Sequence, residues 1–387
     1  MKKLIVVATI LLAVVAVGII VFALRPVASP PVVPHEQQTA KPPSHIDTVL
    51  AGMSLRDKVA SLFMLHTPGS DAPALQRYVE APGLAGLILM GDNIPASNEA
   101  LLAQNQLLQG NDAKLPRLVA TDQEGGTVRR LMSDEFNSAL TLKTLPVSAT
   151  GQAFDARSRL VQSVGITLNF GIIADVTDDP SSFIYDRVLG TTPDAAAQRV
   201  GAAVEASKGK TLSTIKHFPG HGETPADSHT SIPTTSISYA QWQQRDAPPF
   251  TAGIKAGVDV VMTGHLRYEA VDSAPASLSQ KWHGILRRDL GFTGVVITDD
   301  MIMLQNSGDG TYGDPVQNAV LALQAGNDLL LYVLDNANDP VSLIDPNQLI
   351  DGVTNAVNEE KISSGSIDAS VRRVLELRSK SAAFVKK

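Results

Sequence analysis

The chain has 387 residues, 44% of them hydrophobic, which suits one large core with an appendage rather than a string of small domains. Its formal net charge is −7 and no basic run follows the first three residues, so nothing resembles a nucleic-acid footprint. The absence of cysteine excludes disulfides, thiolate nucleophiles, Cys-ligated zinc and a lipidated N-terminal cysteine.

Lys2 and Lys3 precede an apolar run without charge from Leu4 to Leu24, close to the ~20 residues that span a bilayer as a helix. The run ends in Arg25-Pro26 and is longer than the apolar region of a cleavable signal peptide, although Val27-Ala28-Ser29 leaves cleavage as the alternative. Residues 1–25 are therefore expected to form one transmembrane anchor. With the lysines inside, the remainder lies outside the cytoplasm, bound to the cell membrane or secreted if cleaved. Residues 26–44, with Pro26, Pro30, Pro31, Pro34, Pro42 and Pro43 among polar side chains, read as an extended linker. Ser54 followed by Asp57 forms a capping box for a helix carrying Leu55, Val59 and Leu62. A catalytic body is expected over 45–387.

Apolar segments then recur with amphipathic stretches between them: Leu62–Leu65, Gly86–Met90, Leu118–Thr121, Leu168–Ala174, Leu212–Ile215, Val258–Met262, Val295–Thr298 and Leu329–Val333. Near-continuous apolar strands alternating with helical patterns predict an α/β fold with a buried parallel sheet. Eight such units suit a (β/α)8 TIM-type barrel, with a doubly wound open sheet as the alternative. Asp122, Asp175, Lys216, His217, His265 and Asp299 all fall at the ends of different strands, which in a barrel converge on one face. A terminal helix with Ile367, Val371, Val374 and Leu375 on one stripe would close the outer ring.

The densest motif is Lys216-His217-Phe218-Pro219-Gly220-His221-Gly222, followed by Asp227-Ser228-His229 and Pro233. A buried strand delivers Lys216 and His217 to its mouth, and Pro and Gly then force an irregular loop. Asp227 and His229, two apart in an extended loop, project to one side and can hydrogen bond, which raises imidazole basicity and suits proton shuttling. His217, His221 and His229 could instead bind zinc. The ligand spacings typical of zinc sites are missing, however, and Lys216 is a poor neighbour for a cation, so no metal or cofactor is expected. Asp299 and Asp300 follow a strand and alternate in direction, so only one can point into the barrel mouth. The other is suited to capping the next helix.

The stretch from Lys216 to Pro233 resembles the signature of family 3 glycoside hydrolases of the β-N-acetylglucosaminidase type. The resemblance continues from about residue 50 to 380 through Asp122-Gln123-Glu124-Gly125-Gly126, Asp186-Arg187, Pro275-Ala276-Ser277-Leu278-Ser279 and Thr298-Asp299-Asp300-Met301. It implies that Asp299 is the nucleophile of a retaining mechanism, that His229 is the acid/base, and that Asp227 stabilises its imidazolium. It also implies sugar binding by Asp122, Arg130, Arg187, Lys216 and His217, with His265 as a further pocket candidate. Glu124, two residues after Asp122, is a rival proton donor by spacing alone. Thr127, Ile172, Val188-Leu189 and Thr298 depart from the family pattern around the sugar pocket. The expected activity is exo-hydrolysis of terminal β-linked N-acetylglucosamine from oligosaccharides or muropeptides. A family 3 β-glucosidase, a phosphorylase and a catalytically silent glycan-binding protein are the rivals.

Overall fold

The computed structural model describes residues 44–334 and 344–385. The expected anchor and all but the last residue of the linker lie outside the described residues. Among the described residues no helix is long and apolar enough to cross a membrane.

The first described helix, His45–Gly52, is opened by a reciprocal capping box between Ser44 and Asp47. The next, Leu55–Ala60, is opened by the expected box between Ser54 and Asp57. In each, serine and aspartate satisfy backbone donors that a helix start leaves unpaired.

Eight buried strands follow: β1 Phe63–His66, β2 Gly86–Leu89, β3 Leu118–Thr121, β4 Leu168–Ile173, β5 Leu212–Phe218, β6 Val260–Thr263, β7 Val295–Thr298 and β8 Leu330–Val333. All neighbours pair in parallel, in the order β8-β1-β2-β3-β4-β5-β6-β7. A bridge between Ile297 and Leu329, with Thr298 N donating to Leu329 O at 3.1 Å, joins the last strand to the first in that order. The result is a nearly closed, barrel-like parallel sheet. The strictly sequential order rules out a doubly wound sheet, whose strand order reverses at a switch point.

Each crossover carries helix, among them Ala72–Glu80, Asn98–Gln109, Val147–Ser163, Pro193–Ser207, Ala247–Lys255 and Pro315–Ala325. The terminal helix Ser364–Ser381 buries Ile367, Val371, Val374 and Leu375 as expected. It is tied to the first two helices by Arg372 with Asp47 and Lys58 with Asp368, both at 2.7 Å. Beside β5, Phe218, Trp242, Phe250, Tyr268 and Trp282 form an edge-to-face aromatic cluster. Burial of each such ring stabilises by roughly 1.5–3 kcal/mol, and this gives the strand end a stiff support.

β5 differs from its expected length. It runs on through Lys216 and His217 to Phe218, and its register against β6 shifts between Ile215 and Phe218. Such an irregularity breaks the alternation of side chains. Lys216 and His217 line the same cavity although they are adjacent in the chain.

Candidate active site

The C-terminal strand ends surround a cavity of about 300 Å³. Ionisable side chains from β3, β4, β5 and β7 and their loops line it: Asp122, Glu124, Arg130, Arg187, Lys216, His217, His229, Asp299 and Asp300. Met90, Phe183, Met262 and Met303 supply apolar wall.

One side of the cavity is an ionic lattice. Lys216 Nζ lies 2.7 Å from Asp122 Oδ1 and 2.9 Å from Glu124 Oε1. Arg187 donates to both oxygens of Glu124, Nε to Oε2 at 2.9 Å and Nη2 to Oε1 at 2.8 Å. Arg130 Nη2 reaches Asp122 Oδ2 at 3.5 Å. Burial alone would raise the Glu124 carboxyl, but Lys216 and Arg187 outweigh it and hold the group at about 2. Burial likewise disfavours the Lys216 ammonium, and Asp122 and Glu124 overcome it, so its pKa is raised. Buried charges persist only when paired in this way. Glu124 is therefore a fixed anion and cannot serve as the proton donor that spacing allowed.

Opposite stands Asp299. Its backbone N–H donates to Thr263 O at 2.9 Å, and its Oδ1 accepts from Asp300 N at 2.8 Å. Its Oδ2 is 4.0 Å from His217 Nε2. Burial opposes ionisation, but His217, His265 and Lys216 hold the carboxyl at about 2. It is an ionised, oriented carboxylate. Asp300 lines the cavity as well, and its Oδ1 accepts from Ile302 N at 3.1 Å and from Val333 N at 3.0 Å, tying the turn after β7 to β8. Burial pushes its pKa up to about 7 despite those bonds.

The third component comes from the loop after β5. His229 Nδ1 lies 2.6 Å from Asp227 Oδ1, and His229 N donates to the same oxygen at 3.0 Å. This directs Nε2 away from Asp227, and His229 lines the same cavity as Asp299. Asp227 is disfavoured as an anion by burial, yet bonds from His229 lower its pKa. The dyad remains largely open to solvent, with side-chain exposures of 64% for His229 and 45% for Asp227. The loop base is clamped by Trp242 Nε1 donating to Pro219 O at 2.9 Å and Tyr268 Oη donating to Gly220 O at 2.6 Å. Its far end is held by parallel pairing of Thr234 with Arg267 and Thr235 with Tyr268.

An ionised carboxylate and an Asp-supported imidazole facing one small cavity can carry out nucleophilic displacement with proton transfer to a leaving group. Residues 54–377 match the family described as "Glycosyl hydrolase family 3 N terminal domain". The chain belongs to glycosyl hydrolase family 3. Among its relatives, a beta-hexosaminidase of Idiomarina loihiensis is 34% identical over 71% of this chain and 84% of its own length. The beta-hexosaminidase of Pseudomonas aeruginosa is 32% identical over 72% and 84%. A beta-hexosaminidase A of Pseudoalteromonas piscicida is 28% identical over 80% of this chain, which spans only 55% of it. A family 3 beta-N-acetylglucosaminidase structure from Paenibacillus sp. superposes with a TM-score of 0.79 at 29% identity, over 87% of this chain and 64% of that one. The beta-N-acetylhexosaminidase structure from Beutenbergia cavernae gives 0.74 at 28%, over 85% and 99%. The family 3 chain is thus a β-hexosaminidase-like glycosidase.

Against the expectations from sequence, the family 3 cavity gathers Asp122, Arg130, Arg187, Lys216, His217, His229 and Asp299, with Asp227 behind His229. His265 is a correction. It does not line the cavity, because Nδ1 meets Ser277 Oγ at 2.7 Å and Nε2 meets Asp300 O at 2.9 Å, leaving no ring nitrogen for a sugar. It braces the turn that carries Asp299. Asp175, noted at a strand end but given no role, proves to be the partner of His217, with Oδ2 2.7 Å from Nδ1. It also accepts from the backbone N–H groups of His217 at 3.1 Å and His221 at 2.7 Å. Its strand-end position was the only sequence signal. Among the described residues no group of three or more His, Cys, Asp or Glu side chains is placed to hold a metal ion. His217 and His229 are each engaged by a different aspartate.

Proposed function

We propose that the chain is a retaining, exo-acting β-N-acetylhexosaminidase. Asp299 attacks the anomeric carbon, the C1–O bond breaks, and His229 Nε2 gives its proton to the departing oxygen. Water, deprotonated by His229, then cleaves the glycosyl-Asp299 ester and restores both groups. Asp227 stabilises the imidazolium and fixes its orientation. The observation that carries this reading is that Asp299 and the Asp227-backed His229 face one cavity of about 300 Å³, at the lower end of ligand-pocket sizes. The ionic lattice of Asp122, Glu124, Arg130, Arg187 and Lys216 offers acceptors and donors for ring hydroxyls and an acetamido group.

The names of the relatives support terminal β-linked N-acetylglucosamine as the sugar removed. The apolar run Leu4–Leu24 supports a membrane anchor with the catalytic body outside the cytoplasm, where peptidoglycan fragments are the accessible substrate.

The test is release of nitrophenol from nitrophenyl N-acetyl-β-glucosaminide by wild type, Asp299→Ala and His229→Ala. Asp299→Ala is expected to lose about 10³-fold or more in kcat. His229→Ala is expected to be slow on poor leaving groups and much less impaired on activated ones. Full activity in Asp299→Ala refutes the mechanism, and a rate that requires added phosphate identifies a phosphorylase instead. Retention of the protein in membranes after high-salt washing tests the anchor.

A further inference from the structure

Between Asp122 and Glu124, which both enter the cavity, Gln123 points the other way into the protein and is fully buried. It is held at both ends. Its backbone N–H donates to Asn169 Oδ1 at 2.9 Å, and Asn169 Nδ2 donates to Gln123 O at 3.0 Å. Its side-chain Oε1 accepts from the backbone N–H groups of Arg130 at 2.9 Å and Leu131 at 2.8 Å. Its Nε2 donates to Asp134 Oδ2 at 2.8 Å. That oxygen also accepts from Arg157 Nε at 2.7 Å, in an ion pair with side-chain exposures of 1% and 0%.

The Arg157 guanidinium also fills the space under the turn. Gly125 has φ of +87°, and a Cβ there would lie 2.1 Å from Arg157 Nη2. The turn is therefore wrapped around one chain of bonds, Arg157 to Asp134 to Gln123 to the backbone of Arg130. The Arg130 side chain lines the cavity, and its buried Nε has no hydrogen-bond partner among the described residues. None of Gln123, Asp134 and Arg157 lines that cavity.

We infer that Gln123, locked by the buried Asp134–Arg157 pair, is a positioning residue that sets Arg130 in the sugar subsite. The inference rests on reading the cavity as a sugar pocket. The buried ion pair and the two backbone N–H groups bonded to Gln123 Oε1 restrict the turn to one geometry, which fixes the backbone of a ligand-facing arginine, and Arg157 Nη1 is the one buried donor of the three side chains without a partner among the described residues. Arg130 held in place contributes to ground and transition states alike, so its misplacement raises KM more than it lowers kcat.

The experiment uses the 387-residue chain and nitrophenyl N-acetyl-β-glucosaminide, with Gln123→Leu, Gln123→Glu, Arg130→Ala and the Gln123→Leu/Arg130→Ala pair. Gln123→Leu is expected to raise KM about tenfold or more with kcat reduced by less than about threefold. In the double variant KM should be close to that of Arg130→Ala alone, because both changes remove one interaction. Gln123→Glu keeps the acceptor for Arg130 and Leu131 but faces Asp134 with a second carboxyl, so its KM should rise with pH more steeply than that of wild type. That variant decides the matter if Gln123→Leu does not fold. An unchanged KM in Gln123→Leu, multiplying losses in the double variant, or a pH dependence in Gln123→Glu equal to that of wild type overturns the inference. Failure of wild type to release nitrophenol overturns the sugar reading itself and the inference with it, and is distinguishable because no variant is involved.

Discussion

His217 Nε2 stands 4.0 Å from Asp299 Oδ2, while its Nδ1 lies 2.7 Å from the buried carboxylate of Asp175. Asp175 thereby fixes which edge of the imidazole meets Asp299, as a carboxylate partner fixes the tautomer of a histidine. Asp175→Asn should leave a folded protein in which His217 is misdirected, with kcat/KM lowered about 10–100-fold. Steady-state kinetics beside near-UV circular dichroism checks this, and an unaltered kcat/KM removes Asp175 from the site.

Glu124 is bonded by Arg187 and Lys216 and held at about 2, so it carries no proton to give. Glu124→Gln should weaken sugar binding by neutralising one of two carboxylates around Lys216. The loss should be the same for good and poor leaving groups. A loss confined to poor leaving groups would make Glu124 the acid and displace His229.

Stability should pass through a maximum in mildly acidic solution. Asp299 and Glu124 are depressed from 3.8 and 4.5 to about 2, so their stabilisation is complete above pH ~4.5 and disappears as pH falls toward 2, about 2–3 kcal/mol each. Asp300 acts in the opposite sense. Raised from 3.8 to about 7, it favours the folded state below pH ~4 and loses a few kcal/mol as pH rises through 7. Asp300→Asn keeps a carbonyl acceptor for Ile302 and Val333 N–H, so stability between pH 4 and 8 should become flatter. Thermal denaturation of both proteins across that range decides it, and parallel curves would refute the assignment.

Tyr268 Oη donates to Gly220 O at the base of the dyad loop. Tyr268→Phe leaves that carbonyl without its partner, at a cost of about 1–3 kcal/mol. The expected signature is kcat lowered more on poor than on activated leaving groups, because the loop carrying His229 is less well placed. Equal losses on both would confine Tyr268 to a packing role.

The eight strands were legible because each is built on a short, buried apolar run, and buried parallel strands need no alternation to be recognised. The Asp227-His229 pair was legible for a local reason, although the segment forms a turn and not the extended loop expected: Asp227 Oδ1 accepts from both the backbone N–H and the ring of His229 two residues on. Alternation predicted that only one of Asp299 and Asp300 would face the cavity, whereas both line it and Asp300 Oδ1 also accepts from the backbone N–H groups of Ile302 and Val333.

Sequence order could not assign Glu124, Asp175 or His265, because each owes its role to a partner brought in from another element by closure of the barrel. Glu124 becomes a fixed anion only when Arg187 and Lys216, 63 and 92 residues away, arrive beside it. His265 leaves the cavity because Ser277 and Asp300 occupy both ring nitrogens. The amino-acid order determined the strands, the motifs and the chemistry available at their ends. Only the tertiary structure decided which charges neutralise one another and which remain for the substrate, since a charge in a buried site is set by the neighbours within a few ångströms rather than by those along the chain.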